Sequence, residues 1–375
     1  MSPSNPTPES GLLTYLESAA SNEFVEFLHD PQGNRLRIRT GSVGYPCLVL
    51  NVGFTTPGRS APTYQRLHQE WLARGYAPCT PTAPVQEGSA ADDLNCNQPR
   101  SHPLFAAFFG IDAAQSLAGQ SRRIALFRDG LKWPHGHLDL ERIAAFGLYA
   151  GLIVQGDVEV GGVFSQLTHT YPRCVLVGGS IHADSLGHGD SHMRVLGDVH
   201  VRNIVYGEYN DGSLAIQGAV HARAFISVDH DMHAEGGCHA PVCDWDDGEN
   251  WAGVLHPDLF DADSHADAPD LSEEAIRAFM REGRDPFRLG AQPILRETEP
   301  PSDTQAEAAL QMTPFVRQLR QLALADDAEG LTQLIETWPQ RDEEWEQALL
   351  GRLMMPSTTP EQRARLKALQ QQHQR

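Results

Sequence analysis

Four histidines stand at one position of an internal repeat: His182, His200, His221 and His239. Each lies between two residues fit for burial, as in Ile181-His182-Ala183 and Val199-His200-Val201. On an extended chain those neighbours point to one face and the histidine to the other. Stacked in register, the four imidazoles would form an exposed ladder with rungs about 4.8 Å apart. Such a ladder could bind a transition metal or take up protons near neutral pH. It also has a plainer reading as a polar outer face, repeated because the unit is repeated.

Two other clusters carry usable chemistry. In Asp229-His230-Asp231-Met232-His233 the residues alternate, so a strand would set Asp229, Asp231 and His233 on one side as candidate metal ligands. The same polar run would serve equally well at a corner, satisfying backbone donors. Further on, Asp244, Trp245, Asp246, Asp247, Glu249 and Trp251 mix acids with aromatics. Acids attract a cationic surface, and tryptophan is favoured as an interface anchor, so these six are candidate partner-binding residues. Tyr206 and Tyr209, next to the turn signal Asn210-Asp211-Gly212, are expected to protrude and join them.

No nucleophile elbow, phosphate loop, HExxH or kinase motif occurs in the chain. No catalytic residue is therefore assigned, no cofactor is expected, and the chain is read as non-enzymatic. The six cysteines are too sparse for a disulfide scaffold. They include no CxxC pair, and Cys238 and Cys243 beside His239 match no zinc-site spacing.

The element that would position the histidines is the repeat itself. Gly136-His-Leu-Asp-Leu, Gly156-Asp-Val-Glu-Val, Gly179-Ser-Ile-His-Ala, Gly197-Asp-Val-His-Val, Gly218-Ala-Val-His-Ala and Gly236-Gly-Cys-His-Ala follow at steps of 20, 23, 18, 21 and 18 residues. Short alternating strands at such a period are what a stacked parallel β-solenoid (β-helix) produces, here of about six coils. One coil cannot bury its own apolar side chains. Stacking places Val158, Ile181, Val199 and Val220 in one interior column and Val160, Ala183, Val201 and Ala222 in the next. The repeat glycine allows a corner that a Cβ would crowd.

The flanks differ in character. Residues 23–40 read as a hairpin around the turn Asp30-Pro31-Gln32-Gly33-Asn34, followed by a strand at 48–52 and a helix at 62–73 ended by Gly75. Residues 80–105 are rich in turn formers, and 113–129 read as a helix able to cap the solenoid. Beyond the repeat, Ser272 is an N-cap candidate for a short helix to Glu282, and leucines at helical spacing after residue 301 predict three or four helices. The expected organisation is an α+β domain at 20–80, a linker and capping helix at 81–131, the solenoid at 132–245, an acidic cap with a short helix at 246–300 and an α-helical module at 301–375. The fold class is mainly β with α modules.

The segment Thr40-Gly41-Ser42-Val43-Gly44, with Arg74-Gly75-Tyr76 closing the helix, resembles a WGR domain in which the signature Trp and Arg are replaced by Thr40 and Ser42. In that family those two residues matter for nucleic-acid and partner contacts, so the resemblance implies a degenerate module. The Gly-Asp-Val-x-Val repeat, Tyr209-Asn210-Asp211-Gly212 and Asp229-His230-Asp231 resemble bactofilin-like, polymer-forming solenoids over about residues 132–290. Bactofilins polymerise through bare ends, whereas this chain carries modules on both sides. Similar solenoids resemble accessory, immunity-type proteins of bacterial toxin systems.

Charge points the same way. With 49 acidic and 29 basic residues, the net charge is −20, which disfavours phosphate backbones and favours a basic protein partner. No apolar run is long enough to cross a membrane, and the first ten residues lack signal-peptide character, so a cytoplasmic setting is expected. The leading expectation is a cytoplasmic protein that neutralises an antibacterial toxin by stoichiometric binding. The alternatives are a bactofilin-like scaffold and a solenoid enzyme or carbohydrate-binding protein.

Overall fold

The computed structural model describes residues 12–94 except 55 and 57, 123–167 except 145 and 147, 174–244 except 209–211 and 241, 251–261, 271–288, 315, 318–319, 322, 327–341, 343–354 and 359–373. It begins with four antiparallel strands, β1 (Leu12–Ser18), β2 (Glu23–Asp30), β3 (Arg35–Ser42) and β4 (Pro46–Gly53). The β2–β3 hairpin forms at the expected turn. Asp30 Oδ1 accepts the N–H groups of Gln32 and Gly33, and Asn34 takes a positive φ of 51°. Helix Ser60–Ala73 packs Tyr64, Leu67 and Trp71 onto the sheet and ends before Gly75 at φ 88°.

Within the segment expected to link the domains, residues 86–94 instead extend the sheet. After the two-residue β5 (Ala77–Pro78), β6 (Gln86–Leu94) pairs in parallel with β4 and antiparallel with β7 (Arg123–Phe127). Residues 123–127 of the expected capping helix are thus strand β7. Its side chains are buried on both sides, Ala125 and Phe127 within the main core and Ile124 and Leu126 beneath helices. A strand apolar on both faces loses the alternation that would reveal it.

From β7 the chain winds as a parallel β-solenoid of about four regular turns. The first coil continues with β8 (Leu131–Trp133) and β9 (Leu138–Asp139). Next come β10 (Tyr149–Val154), β11 (Val158–Val160) and β12 (Val163–Gln166), then β13 (Cys174–Val177), β14 (Ile181–Ala183) and β15 (Ser185–His188). The later coils are β16 (His192–Val195), β17 (Val199–Val201) and β18 (Ile204–Glu208), then β19 (Ser213–Ile216), β20 (Val220–His221) and β21 (Ala224–Val228), then β22 (Asp231–Ala234), β23 (Cys238–His239) and β24 (Val242–Asp244). About six coils were expected. The first is shared with the N-terminal sheet and the last ends all three sheets, which leaves about four turns with a coil stacked on both sides.

Three sheets form the prism. The first face joins β22-β19-β16-β13-β10-β7 and runs on through β6 into the N-terminal strands as one 12-stranded sheet. The second face is β23-β20-β17-β14-β11-β8, and the third is β24-β21-β18-β15-β12-β9. On the second face Val158, Ile181, Val199 and Val220 are successive register partners and are all fully buried, as the repeat pattern requires. On the third face Phe164, Leu186, Val205 and Phe225 make the matching column.

The corner between first and second faces always holds three residues, such as Gly178-Gly179-Ser180 and Leu196-Gly197-Asp198. The repeat glycines stack there. A Cβ on Gly197 would lie 2.7 Å from the backbone of Gly179, and one on Gly218 would lie 2.3 Å from Asp198 Oδ1. The repeat aspartates staple coil to coil at this corner: Asp157 Oδ1 accepts the Ser180 N–H at 2.7 Å, and Asp198 Oδ1 accepts the Ala219 N–H at 2.8 Å.

Two of the three faces are covered by the chain's own helices. Helices Ala328–Thr337, Glu343–Met354 and Pro360–His373 bury Leu331, Leu334, Trp345 and Leu366 against Ile153, Cys174 and Leu176 of the first face. Helix Glu273–Glu282 buries Ile276, Phe279 and Met280 against Val163, Tyr206 and Ile226 of the third. Ser272 caps that helix as expected, its Oγ accepting the Ala275 N–H.

Candidate functional site

The second face is the one that such helices leave open among the described residues. Its outward column runs Lys132, Glu159, His182, His200, His221 and His239 in strict register, from β8 to β23. The apolar neighbours of each residue fill the core, so the strand period of two forces these side chains outward. The four imidazoles stack as the sequence implied. Ring centroids lie 5.0, 4.6 and 4.9 Å apart, with interplanar angles of 7°, 7° and 22°.

An open groove lies along this face, bordered at one end by Glu87, Gly88, Ser89 and Ala90 of β6. Its lining carries Glu87, Asp129, Asp157, Glu159 and Asp184 against Lys132 and Arg202, together with His182 and His200. Several of these charges already have partners. Lys132 meets Glu159 at 2.8 Å, Arg202 meets Asp184 at 3.1 Å, and Arg37 meets Glu87 at 2.7 Å. These pairs are exposed and add little stability. Further along, His200 Nε2 lies 3.7 Å from Asp198 Oδ2. Among the described residues, Asp198, His200 and His221 are the set whose ligand atoms gather within 4.8 Å of one another.

A second polar cluster is sealed inside the corner between third and first faces. His188 is fully buried; its Nδ1 lies 2.7 Å from His230 Nε2 and its Nε2 lies 2.9 Å from Ser191 Oγ. The arrangement suits a polar plug, since Ser191 is itself 1% exposed. Burial, and then the neighbouring His230 and His192, hold His188 well below the usual imidazole range. The unfolded chain takes up this proton below about pH 6.5 while the folded chain does not. This contribution to stability is therefore complete above that pH and is lost as pH falls. Asp139 acts in the opposite sense: burial raises its carboxyl to about 6, so acidification toward the unfolded value adds stability. Comparing wild type with His188→Gln isolates the imidazole. Wild type should lose more stability than the variant between pH 7 and 5, because only the wild-type unfolded chain gains a proton at this position. Equal losses in chemical denaturation would refute the assignment.

The structure places the other sequence candidates as follows. Tyr206 does not protrude: it is 0% exposed, in β18, under helix Glu273–Glu282. Ile204-Val205-Tyr206 is a strand buried on both faces, so the turn signal beyond it did not carry the tyrosine outward. Tyr209, Trp245, Asp246, Asp247 and Glu249 lie outside the described residues. Asp244 ends β24, and Trp251 opens helix Trp251–Val254. Asp229 occupies a corner at φ 50°, so the strand alternation begins only at Asp231. Asp231 and His233 do face away from the core there, opposite the buried Met232. Sequence reasoning passed over Asp157 and Asp198 as ligand or staple residues, although both stand in the Gly-Asp-Val unit. No helix among the described residues is long and apolar enough to cross a membrane.

Comparison of the chain with protein-family models, with curated proteins and with solved structures returns no match in any of the three.

Proposed function

We propose that this chain is a non-enzymatic binding protein that captures a basic protein partner stoichiometrically. Its most specific form would be a cytoplasmic immunity protein that neutralises an antibacterial toxin. The observation that carries the reading is the allocation of the three faces. The chain's own helices occupy the first and third faces, and the second presents an open groove whose lining holds more carboxylates than cations. The net charge of −20 would draw a cationic partner to it. The acidic run Asp244, Asp246, Asp247 and Glu249, with Trp245 and Trp251 as aromatic anchors, is the second contact assigned to the partner.

The test begins with affinity capture of the full chain from its source cells and identification of what copurifies. A captured toxin should be inhibited completely at one equivalent. Association should slow at least about tenfold from low to high salt, with little change in dissociation. Asp246→Lys with Asp247→Lys should slow association further. Suppression by a catalytic amount of this chain would overturn stoichiometric capture and favour the enzyme alternative. Long unbranched polymers in electron micrographs, with no partner captured, would favour the bactofilin-like scaffold instead.

A further inference from the structure

We propose that Asp198, His200 and His221 form a binding site for a divalent transition-metal ion on the open face of the solenoid. The site goes beyond partner capture and does not depend on it. Parallel pairing of β17 with β20 sets His200 directly beside His221, with ring centroids 4.6 Å apart and rings within 7° of parallel. Asp198 reaches the same point from the preceding corner. Its Oδ1 is held by the Ala219 N–H at 2.8 Å, which leaves Oδ2 turned toward His200 Nε2 at 3.7 Å. Gly218 makes this pose possible, because a Cβ there would lie 2.3 Å from Oδ1.

The three ligand atoms lie within 4.8 Å of one another. Metal–ligand bonds of about 2.0–2.2 Å require them about 3.3 Å apart in a tetrahedral set. Rotation of two partly exposed imidazoles, on a rigid backbone, closes that gap. The rung is also singular along the ladder. The corner residue before His182 is Ser180, the one before His221 is Ala219 and the one before His239 is Gly237. Glu159 is engaged by Lys132. One rung alone therefore combines a corner carboxylate with an outward imidazole, and it has a second imidazole beside it. Two imidazoles and one carboxylate suit zinc, cobalt or nickel rather than calcium or magnesium, which take oxygen ligands. Three protein ligands leave a fourth position for water.

The test uses the full chain, stripped with chelator and titrated with Co²⁺ and Zn²⁺. One equivalent of Co²⁺ should bind at micromolar concentration and give the visible absorption of a four-coordinate nitrogen–oxygen site, and Zn²⁺ should displace it. Asp198→Asn keeps an acceptor for the Ala219 N–H and removes the charge; it should weaken binding at least tenfold. His200→Ala and His221→Ala should do the same, while His239→Ala should change affinity less than twofold. Circular dichroism establishes that each variant is folded before titration. Absence of binding at millimolar Co²⁺ would overturn the proposal. So would binding that Asp198→Asn leaves intact, or that His239→Ala weakens as much as His200→Ala, because each would mark nonspecific capture by any histidine pair.

Discussion

Val199→Asp should abolish the folded solenoid. Val199 is fully buried between its register partners Ile181 and Val220, so the new carboxylate has no cation within the column. An ionised form there is excluded by the desolvation cost. The alternative is protonation at pH 7, which requires the carboxyl to shift up by about three units and costs about 4 kcal/mol. Losing the valine burial adds about 1.5–2 kcal/mol. The sum, about 6 kcal/mol, is comparable to the whole stability of an ordinary domain. The expected result is loss of the cooperative unfolding transition. His182→Thr, on the neighbouring strand but facing outward, should change stability by less than about 0.5 kcal/mol. Because a strand's faces alternate, this pair of variants also checks the register: a one-residue slip would exchange the two outcomes.

Removing Arg277 should release the helix that covers the third face. Arg277 is ion-paired with Glu208, whose side chain is only 3% exposed, and it lies 3.6 Å from Glu273 one helical turn back. Burial would penalise the Glu208 carboxylate severely without this guanidinium. Breaking one side of such a pair destabilises by about 3–5 kcal/mol, and the partial exposure of Arg277 places the effect near the lower bound. Arg277→Met should therefore lower stability by about 3 kcal/mol, as read by chemical denaturation. Glu208→Gln combined with Arg277→Met should recover much of the loss, because no charge is then stranded. A loss below about 1 kcal/mol, or a double variant no better than the single, would show that the apolar contacts of Ile276, Phe279 and Met280 hold the helix alone.

The second face was the most legible part of the molecule in the sequence. Its strands alternate apolar and polar residues, and the repeat glycine marks their start, so the column through Val199 and the outward aim of the four histidines both follow from period two. Local chemistry also revealed the Asp30 turn and the Ser272 cap. Strand β7 and the third face were harder to read because helices cover them from outside. Ile124 to Phe127 and Ile204 to Tyr206 are apolar on both sides, a pattern that strands share with buried helices. Strand β6 gave no signal: Gln86 to Leu94 contains hardly a large apolar residue, and pairing with β4 and β7 makes it a strand. The candidate site was half visible. The ladder appeared at one repeat position, but the closeness of Asp198 to His200 depends on how the corner folds and on the staple to Ala219.

The constancy of the three-residue corner has a consequence for how the molecule can be lengthened or decorated. Between first and second faces every coil holds three residues, whereas between third and first faces the connection varies: nine residues before β10, seven before β13, three before β16, four before β19 and two before β22. One edge therefore works as a fixed ruler, with a mark at each strand spacing, and the opposite edge works as a row of sockets. An insertion placed after β15 or β21 would leave the spacing of the outward column unchanged. The same insertion beside Gly197 would break the stacked glycines and shift every mark beyond it.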